Sequence, residues 1–353
     1  MKRIFEKGFI KTRFFKILLP AVLFPGALVA GQDQIPDLSG NYNVATLTPL
    51  ERPKMFGDKL YLSQEAAAKI AADAKERRLA TSQDSDPDRE APPDGGDGSR
   101  GAAGNVGGYN SFWIDNGDDA FEIDGRFRTS IIYDPEDGRM PFTEAARAIR
   151  KKTFARFLRP NKGDAWWLKT GGEGPYDDPE LRPLAERCLL GFGSTSGPPM
   201  LPVLYNNVKR IVQTPDHIMI LNEMVHDARI IRLNSEHLPA EIRKWMGDSI
   251  GHWEGDTLVI DTTNFTPVSA LRGATENLHV VEWLKLNDDN SLLYRFTVED
   301  SATWSEPWSG EYPWPATEDS VFEYACHEAN YALGNILRGA RLLEAEQQPT
   351  GSE

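Results

Sequence analysis

Residues 279–298, HVVEWLKLNDDNSLLYRFTV, decide the fold. Two β-rich runs, His279 to Leu286 and Leu292 to Val298, flank the polar cluster Asn287-Asp288-Asp289-Asn290. Such a cluster between two runs is a hairpin signal. In the second run Leu292, Tyr294, Phe296 and Val298 alternate with Leu293, Arg295, Thr297 and Glu299. Successive side chains of a strand point to opposite faces, so this spacing predicts one apolar face and one mainly polar face.

The same texture continues outward. Val208 to Val212, Ile218 to Val225 and Ala228 to Leu233 are β-rich, and Trp253-Glu254-Gly255-Asp256-Thr257 is a tight turn between Ser249–Trp253 and Leu258–Thr262. Asp37-Leu38-Ser39-Gly40-Asn41-Tyr42 reads as a turn feeding a short strand, Arg128 to Tyr133 as a strand, and Val321 to Ala325 as the last one. Asp134-Pro135-Glu136-Asp137-Gly138 has turn chemistry. Hairpins that follow one another without helices between them predict a mainly β (α+β) fold, an antiparallel barrel or sandwich. Helical patterns are confined to the N-terminal half: Gln64 to about Leu79 capped by Ser63, Thr143 to about Phe157 with Thr143 as cap, and a short one over Pro179 to Cys188. These are expected to pack outside the sheet.

The two ends of the chain differ from this middle. Lys2, Arg3, Lys7, Lys11, Arg13 and Lys16 precede the apolar run Ile17 to Ala30, the form of a signal peptide over residues 1–30 with small residues at its end. The run is short of the ~20 apolar residues of a permanent span, so no stable membrane insertion is expected after cleavage. Removing six positive charges and one negative takes the net charge from −14 to −19. A surface that acidic repels phosphate backbones, which disfavours nucleic acid as a partner. Residues 31–353 are expected to form a single β-rich domain. Within it, residues 81–108 are Pro, Gly, Asp and Ser with little apolar content, which predicts a flexible insertion. The two cysteines, Cys188 and Cys326, have no C-x-x-C spacing. In an oxidising compartment such a pair forms one disulfide, worth roughly 4–5 kcal/mol for a loop this long in the chain-entropy view. The localisation expected is periplasmic or secreted.

The run Gly247-Asp248-Ser249-Ile250-Gly251-His252-Trp253-Glu254-Gly255-Asp256-Thr257-Leu258-Val259-Ile260-Asp261-Thr262 carries a resemblance. With Glu276–Glu282, Phe322–Glu328, Thr129 to Pro141 and Glu186-Arg187-Cys188, the chain resembles a large family of secreted, β-rich bacterial proteins that bear such a run. The resemblance covers nearly all of the mature chain and implies secretion and a common fold. It carries no catalytic residue across.

Several chemistries lack their signatures. Gly191-Phe192-Gly193-Ser194-Thr195-Ser196-Gly197 comes near a nucleophile elbow but has no correctly spaced G-x-S-x-G. There is no G-x-G-x-x-G after a strand and no G-x-x-x-x-G-K, so a nucleotide cofactor lacks its cradle. His226, His252, His279 and His327 could converge on zinc, but none shows close ligand spacing, so no metal and no cofactor are assigned.

The strongest candidate for chemistry is Glu223-Met224-Val225-His226-Asp227-Ala228-Arg229. On an uninterrupted strand Glu223, Asp227 and Arg229 share a face with Met219, Leu221, Val225, Ile231 and Leu233, where charges must be paired or shifted in pKa. The stretch is long for one strand, so a hairpin near His226-Asp227 is the alternative. A carboxylate and an imidazole make a general acid/base pair, and arginine grips an anion. The alternative is a structural ion pair beside an exposed histidine. His252 and His279 are candidate acids. Trp304 and Trp308, spaced by prolines, and Tyr109 and Trp113, after the insertion, are candidate platforms for substrate, or equally loops packed over the end of a barrel. These patterns together point to an enzyme outside the cytoplasm, a lyase or hydrolase by class, that performs elimination, hydration, isomerisation or hydrolysis on a small polar ring compound. Two rival expectations are a ligand-binding β-barrel without turnover and an interaction module of the cell envelope.

Overall fold

A computed structural model of the chain describes residues 35–81, 114–157, 163–169, 172–269, 271, 273–328 and 330–347. The leader at 1–30, all but Thr81 of the insertion at 81–108, and both Tyr109 and Trp113 lie outside the described residues. The described strands are β1 (Gly40–Asn43), β2 (Glu122–Ile123), β3 (Arg126–Phe127), β4 (Ile132–Asp134), β5 (Val208–Gln213), β6 (His217–Asn222), β7 (Ala228–Leu233), β8 (Asp248–Glu254), β9 (Thr257–Thr263), β10 (His279–Leu286), β11 (Leu292–Glu299) and β12 (Trp308–Trp314). Apart from the small hairpin of β2 and β3, they form a single ten-stranded sheet in the order β1-β5-β6-β7-β8-β9-β10-β11-β12-β4.

The fold is mainly β, as expected, and the sheet curls into a half-barrel. Its pairs are antiparallel except β7 with β8, which run parallel across the connection 234–247. One corner is tied: the chain leaving β12 returns to β1 through a bridge between Tyr42 and Ala316, with Asn43 N donating to Pro315 O at 3.0 Å and Thr317 N to Asn41 O at 2.9 Å.

The hairpin that decides the fold forms in the expected register, Leu286 opposite Leu292 and Val280 opposite Val298. Leu292, Tyr294, Phe296 and Val298 are wholly buried on the inner face, joined by Ile260, Val280 and Leu284 from the neighbouring strands. Burial of this kind stabilises by about 25 cal/mol per Å² of apolar surface removed from water. The turn between β8 and β9 needs Gly255, whose φ is 61°. At Gly247, with φ 69°, a Cβ would come within 2.7 Å of Thr262 Cγ2 and Thr263 O. Only glycine meets both demands there.

The aromatic, proline-spaced stretch is a strand rather than a loop. β12 pairs with β11 from Trp308 opposite Val298 to Trp314 opposite Leu292. Trp308, Tyr312 and Trp314 are fully buried, and Trp304 is 2 % exposed, so none can receive a ligand. Trp308 and Trp304 are therefore core residues, which corrects their assignment as substrate platforms.

Helices α1 (Gln64–Thr81) and α2 (Glu144–Phe157) lie where the sequence predicts them. Ser63 and Thr143 cap them, each accepting from the backbone N–H three residues on, at 3.2 Å from Ala66 and 3.1 Å from Ala146. The expected helix at 179–188 is only a 3-10 turn over Pro179–Leu181. A third helix, α3 (Tyr331–Gln347), follows the sheet instead, with Ala340 packed against Ala165 and Trp167. The segment expected as the last strand, 321–325, carries no strand pairing and runs as an irregular strap. Cys188 and Cys326 are joined by a disulfide across a separation of 138 residues. Among the described residues no helix is long and apolar enough to cross a membrane.

Candidate functional site

The run from β6 into β7 is not one strand. Asn222 N and Nδ2 both donate to Asp227 O, closing a tight turn over Glu223–Asp227. Within it Val225 (φ 60°) and His226 (φ 47°) adopt left-handed backbone, which a β-branched residue tolerates poorly. The turn breaks the shared face on which Glu223, Asp227 and Arg229 were expected to line up, and sends their side chains in three directions.

Arg229 goes into the half-barrel. Its Nη1 donates to Glu282 Oε1 at 2.9 Å, its Nη2 to Glu282 Oε2 and to Thr262 Oγ1, and its Nε to Ser249 Oγ at 3.0 Å. Tyr294 hydroxyl donates to Glu282 Oε1 at 2.6 Å and accepts from Met200 N at 2.9 Å. Arg229 is 2 % exposed and Glu282 fully buried, so the pair is sealed, and each of the three guanidinium nitrogens has an acceptor. The expected partnership of Arg229 with Glu223 or Asp227 is thus corrected: its carboxylate comes from Glu282, three strands away. His226 is exposed at the tip of the turn. The trio Glu223, His226 and Arg229 is not assembled.

Behind the turn lie the buried Lys209 and the half-buried Asp227. Lys209 Nζ donates to Thr195 O at 2.7 Å, and Ser196 Oγ donates to Asp227 Oδ2 at 2.7 Å. Burial pushes Lys209 down to about 7, with Glu223 and Asp227 working the other way. Burial also raises Asp227, against the bonds it receives from Ser196 and Gly191.

The histidines do not converge either. His252 lies exposed on β8, 3.0 Å from Glu254, and His327 sits in the turn before α3. His279 Nε2 meets Asp261 Oδ2 at 3.1 Å, while His237 Nε2 meets Asp261 Oδ1 at 3.0 Å. The bond to His279 and, beyond the opposing effect of burial, that to His237 hold Asp261 below its ordinary value, and Asp261 in turn raises His279. His237 also faces Asp248, which is clamped by Arg232 and Lys244. His237 lacked any periodic signal, since it lies in the crossover between β7 and β8. Among the described residues no three His, Cys, Asp or Glu side chains are grouped as metal ligands.

Glu223 points elsewhere. It is 4 % exposed, its Oε2 accepts from Val208 N at 3.2 Å, and its Oε1 accepts from Phe322 N at 3.1 Å. It therefore pins the strap to the end of β5, and on this joint rests a hollow of about 980 Å³. Glu223 and Val208 form its floor, and the disulfide and strap residues Phe322 to Cys326 form one wall. The facing wall carries Phe192 and Tyr205, whose rings meet edge-on at 6.4 Å. Phe192 is 47 % and Phe322 69 % exposed, so large aromatic surface stands at the mouth.

The charge of this hollow is one-sided. Asp115, Glu186, Glu223, Asp319 and Glu323 line it, and among the described residues no lysine or arginine does. Glu186 is answered from outside by Arg182 at 2.7 Å. Among the described residues, the side chains of Asp115 and Asp319 have neutral partners, Asn43 Nδ2 and Thr317 Oγ1. Glu323 is exposed on the strap. A concave site lined by one sign of charge focuses its field on whatever enters.

Compared with known proteins, the sequence matches no family model and shows no significant similarity to a curated protein.

Proposed function

We propose that the chain is an exported, disulfide-stapled binding protein that takes up a small organic cation with an apolar face in the hollow beneath Cys188–Cys326. The carrying observation is the lining itself: five carboxylates and four aromatic rings around about 980 Å³, with no basic side chain among the described residues. Its size is at the upper end of the ~300–1,000 Å³ range of small-molecule sites. Aromatic faces attract cations by about 0.5–2 kcal/mol, more when water is displaced. The disulfide and the expected signal peptide at 1–30 support a periplasmic or secreted location.

Acid/base chemistry on a ring compound would have required Glu223, His226 and Arg229 in one hollow. Glu223 alone reaches it, and both of its oxygens already hold main-chain N–H groups. Binding without turnover is therefore the better-supported reading of this cavity.

A matched pair of probes tests it. Benzylammonium and benzoate share a ring and differ in the sign of their charge. Benzylammonium is expected to raise the melting temperature of the purified protein and benzoate to leave it unchanged. At a hundredfold excess over Kd the stabilisation is about 2.7 kcal/mol. Glu323→Gln and Tyr324→Leu are expected to weaken the effect. Equal stabilisation by benzoate, or none by benzylammonium, overturns the proposal.

A further inference from the structure

The outer face of the sheet has a hollow of its own, about 360 Å³, spread over β9, β10 and β11. Trp283 lies at its centre, in register with Val259 on one side and Arg295 on the other. The alternation that sends Glu282 and Leu284 into the core turns Trp283 outward, where it is half-buried. Lys285, Thr257, Glu254 and Tyr133 stand around it. Hydrogen-bonded antiparallel strands hold these positions, Glu254, Thr257, Trp283 and Lys285 on β8 to β10 and Tyr133 on the edge strand β4.

The electrostatics differ from those of the cavity under the strap. Arg295 Nε is bonded to Glu311 Oε2 at 2.6 Å, and Lys285 Nζ lies 3.0 Å from Asp256 Oδ2. Lys285 is thus paired with Asp256, Arg295 shares Glu311 with the buried Arg128, and Glu254 adds a further carboxylate on the rim. Both cations remain about half exposed, at 51 % and 48 % of their side chains, so their outer N–H groups reach solvent. Donors, acceptors and a hydroxyl are therefore mixed around one indole, with no excess of charge to favour an ion.

We propose that this hollow is a saccharide subsite, in which a neutral pyranose ring lies on Trp283 and exchanges hydrogen bonds with Lys285, Glu254 and Thr257. A pyranose suits it on three counts. Its C–H face is apolar and electropositive, matching the face of an indole. Its hydroxyls both donate and accept, matching a mixed rim. It carries no charge, matching ion pairs that are already closed. A uronate or an amino sugar would have to compete with Glu311 or Lys285 for a partner.

Saturation-transfer NMR on the full chain tests this with cellobiose and maltose as neutral probes and glucuronate and glucosamine as charged ones. Transfer to the ring protons of at least one neutral disaccharide is expected, with little to the charged sugars. Trp283→Ala is expected to weaken the affinity about tenfold, the loss of one good aromatic contact. Benzylammonium is expected not to displace the sugar, which separates this site from the cavity beneath the disulfide. Should Trp283→Ala not fold, Lys285→Met and Thr257→Val, which touch only the rim, carry the same expectation of weaker binding. No transfer from either neutral disaccharide, transfer unchanged in the variants, or preference for glucuronate overturns the proposal.

Discussion

The half-barrel interior and the hollow under the strap both carry carboxylates, buried in the first and largely exposed in the second, and the fold deals with them in opposite ways. Inside, both oxygens of Glu282 accept from Arg229, Tyr294 adds a second bond to Oε1, and Ser249 and Thr262 accept from Nε and Nη2 of the guanidinium. Under the strap, Asp115, Asp319 and Glu323 face open space with no cation opposite them among the described residues. A charge moved out of water costs several kcal/mol unless it is paired and hydrogen-bonded. The interior meets that condition from its own residues and so belongs to the architecture. Those three carboxylates of the hollow are exposed to water and carry no such cost; what sets the hollow apart is one sign of charge around a concavity, which focuses its field on whatever enters. Burial of an ionisable group is therefore a poor guide to function here, and the missing counter-charge is a better one.

The largest expected effect comes from breaking the interior. Arg229→Met leaves Glu282 charged, buried and without its partner, and is expected to cost about 3–5 kcal/mol in urea unfolding. Adding Glu282→Leu to it removes the stranded charge and is expected to recover most of that loss. The binding of benzylammonium by the folded double variant should be unchanged. A single variant as stable as the parent, or a double variant less stable than the single, would show that the interior pair is not closed in the way described.

A smaller, pH-dependent effect tests Lys209, a fully buried cation whose ammonium donates to the Thr195 carbonyl. Its folded value of about 7 lies below the ordinary 10.5. Between these values the unfolded chain binds the extra proton, so stability rises with pH across that window. The slope for one proton is about 1.4 kcal/mol per pH unit. Below about 7 both states are protonated and the cost of burying the ammonium is fully present. Subtracting the pH profile of Lys209→Met from that of the parent should isolate this slope. A difference that is flat from neutral to alkaline pH would mean that Lys209 stays charged when folded.

Much of the frame was legible in the sequence because its rules are local. Period-two alternation placed β11, and the hydroxyls of Ser63 and Thr143 placed the starts of two helices. β12 was misread because prolines at 307, 313 and 315 argue against a strand. β4 pairs with β12 only at Ser309 and Gly310, so Pro313 sits where β12 has a partner on one side alone, a position that tolerates a missing N–H. The site was harder to read because its determinants are far apart along the chain. Arg229 finds its carboxylate 53 residues on, and the strap that walls the cavity is held by a cysteine 138 residues away. The length of the run 218–233 announced a turn near His226-Asp227 but not its left-handed Val225 and His226, and that turn decided where each of its charges went.

The smallest expected effect concerns a third arrangement, between sealed and open. His279 shares Asp261 with His237, has Glu299 at 3.8 Å from its other nitrogen, and is about one-third exposed, while Asp248 faces His237 from β8. Asp261 raises His279, so the stabilisation from its charge is fully present below the ordinary 6.5 and is lost as pH rises through the folded value. Asp261 is lowered, so its share is present above the ordinary 3.8 and is lost as pH falls. The cluster should therefore contribute most between about pH 4 and 6.5. Solvent screening limits the size: His279→Gln is expected to cost about 0.5 kcal/mol near pH 5.5 and nothing measurable near pH 8. Unfolding curves of parent and variant at the two pH values check it. A loss that is larger at pH 8 would mean that the neutral imidazole, through its hydrogen bond to Asp261, supplies the stabilisation. The outer cluster would then join the interior as architecture held by geometry rather than by charge.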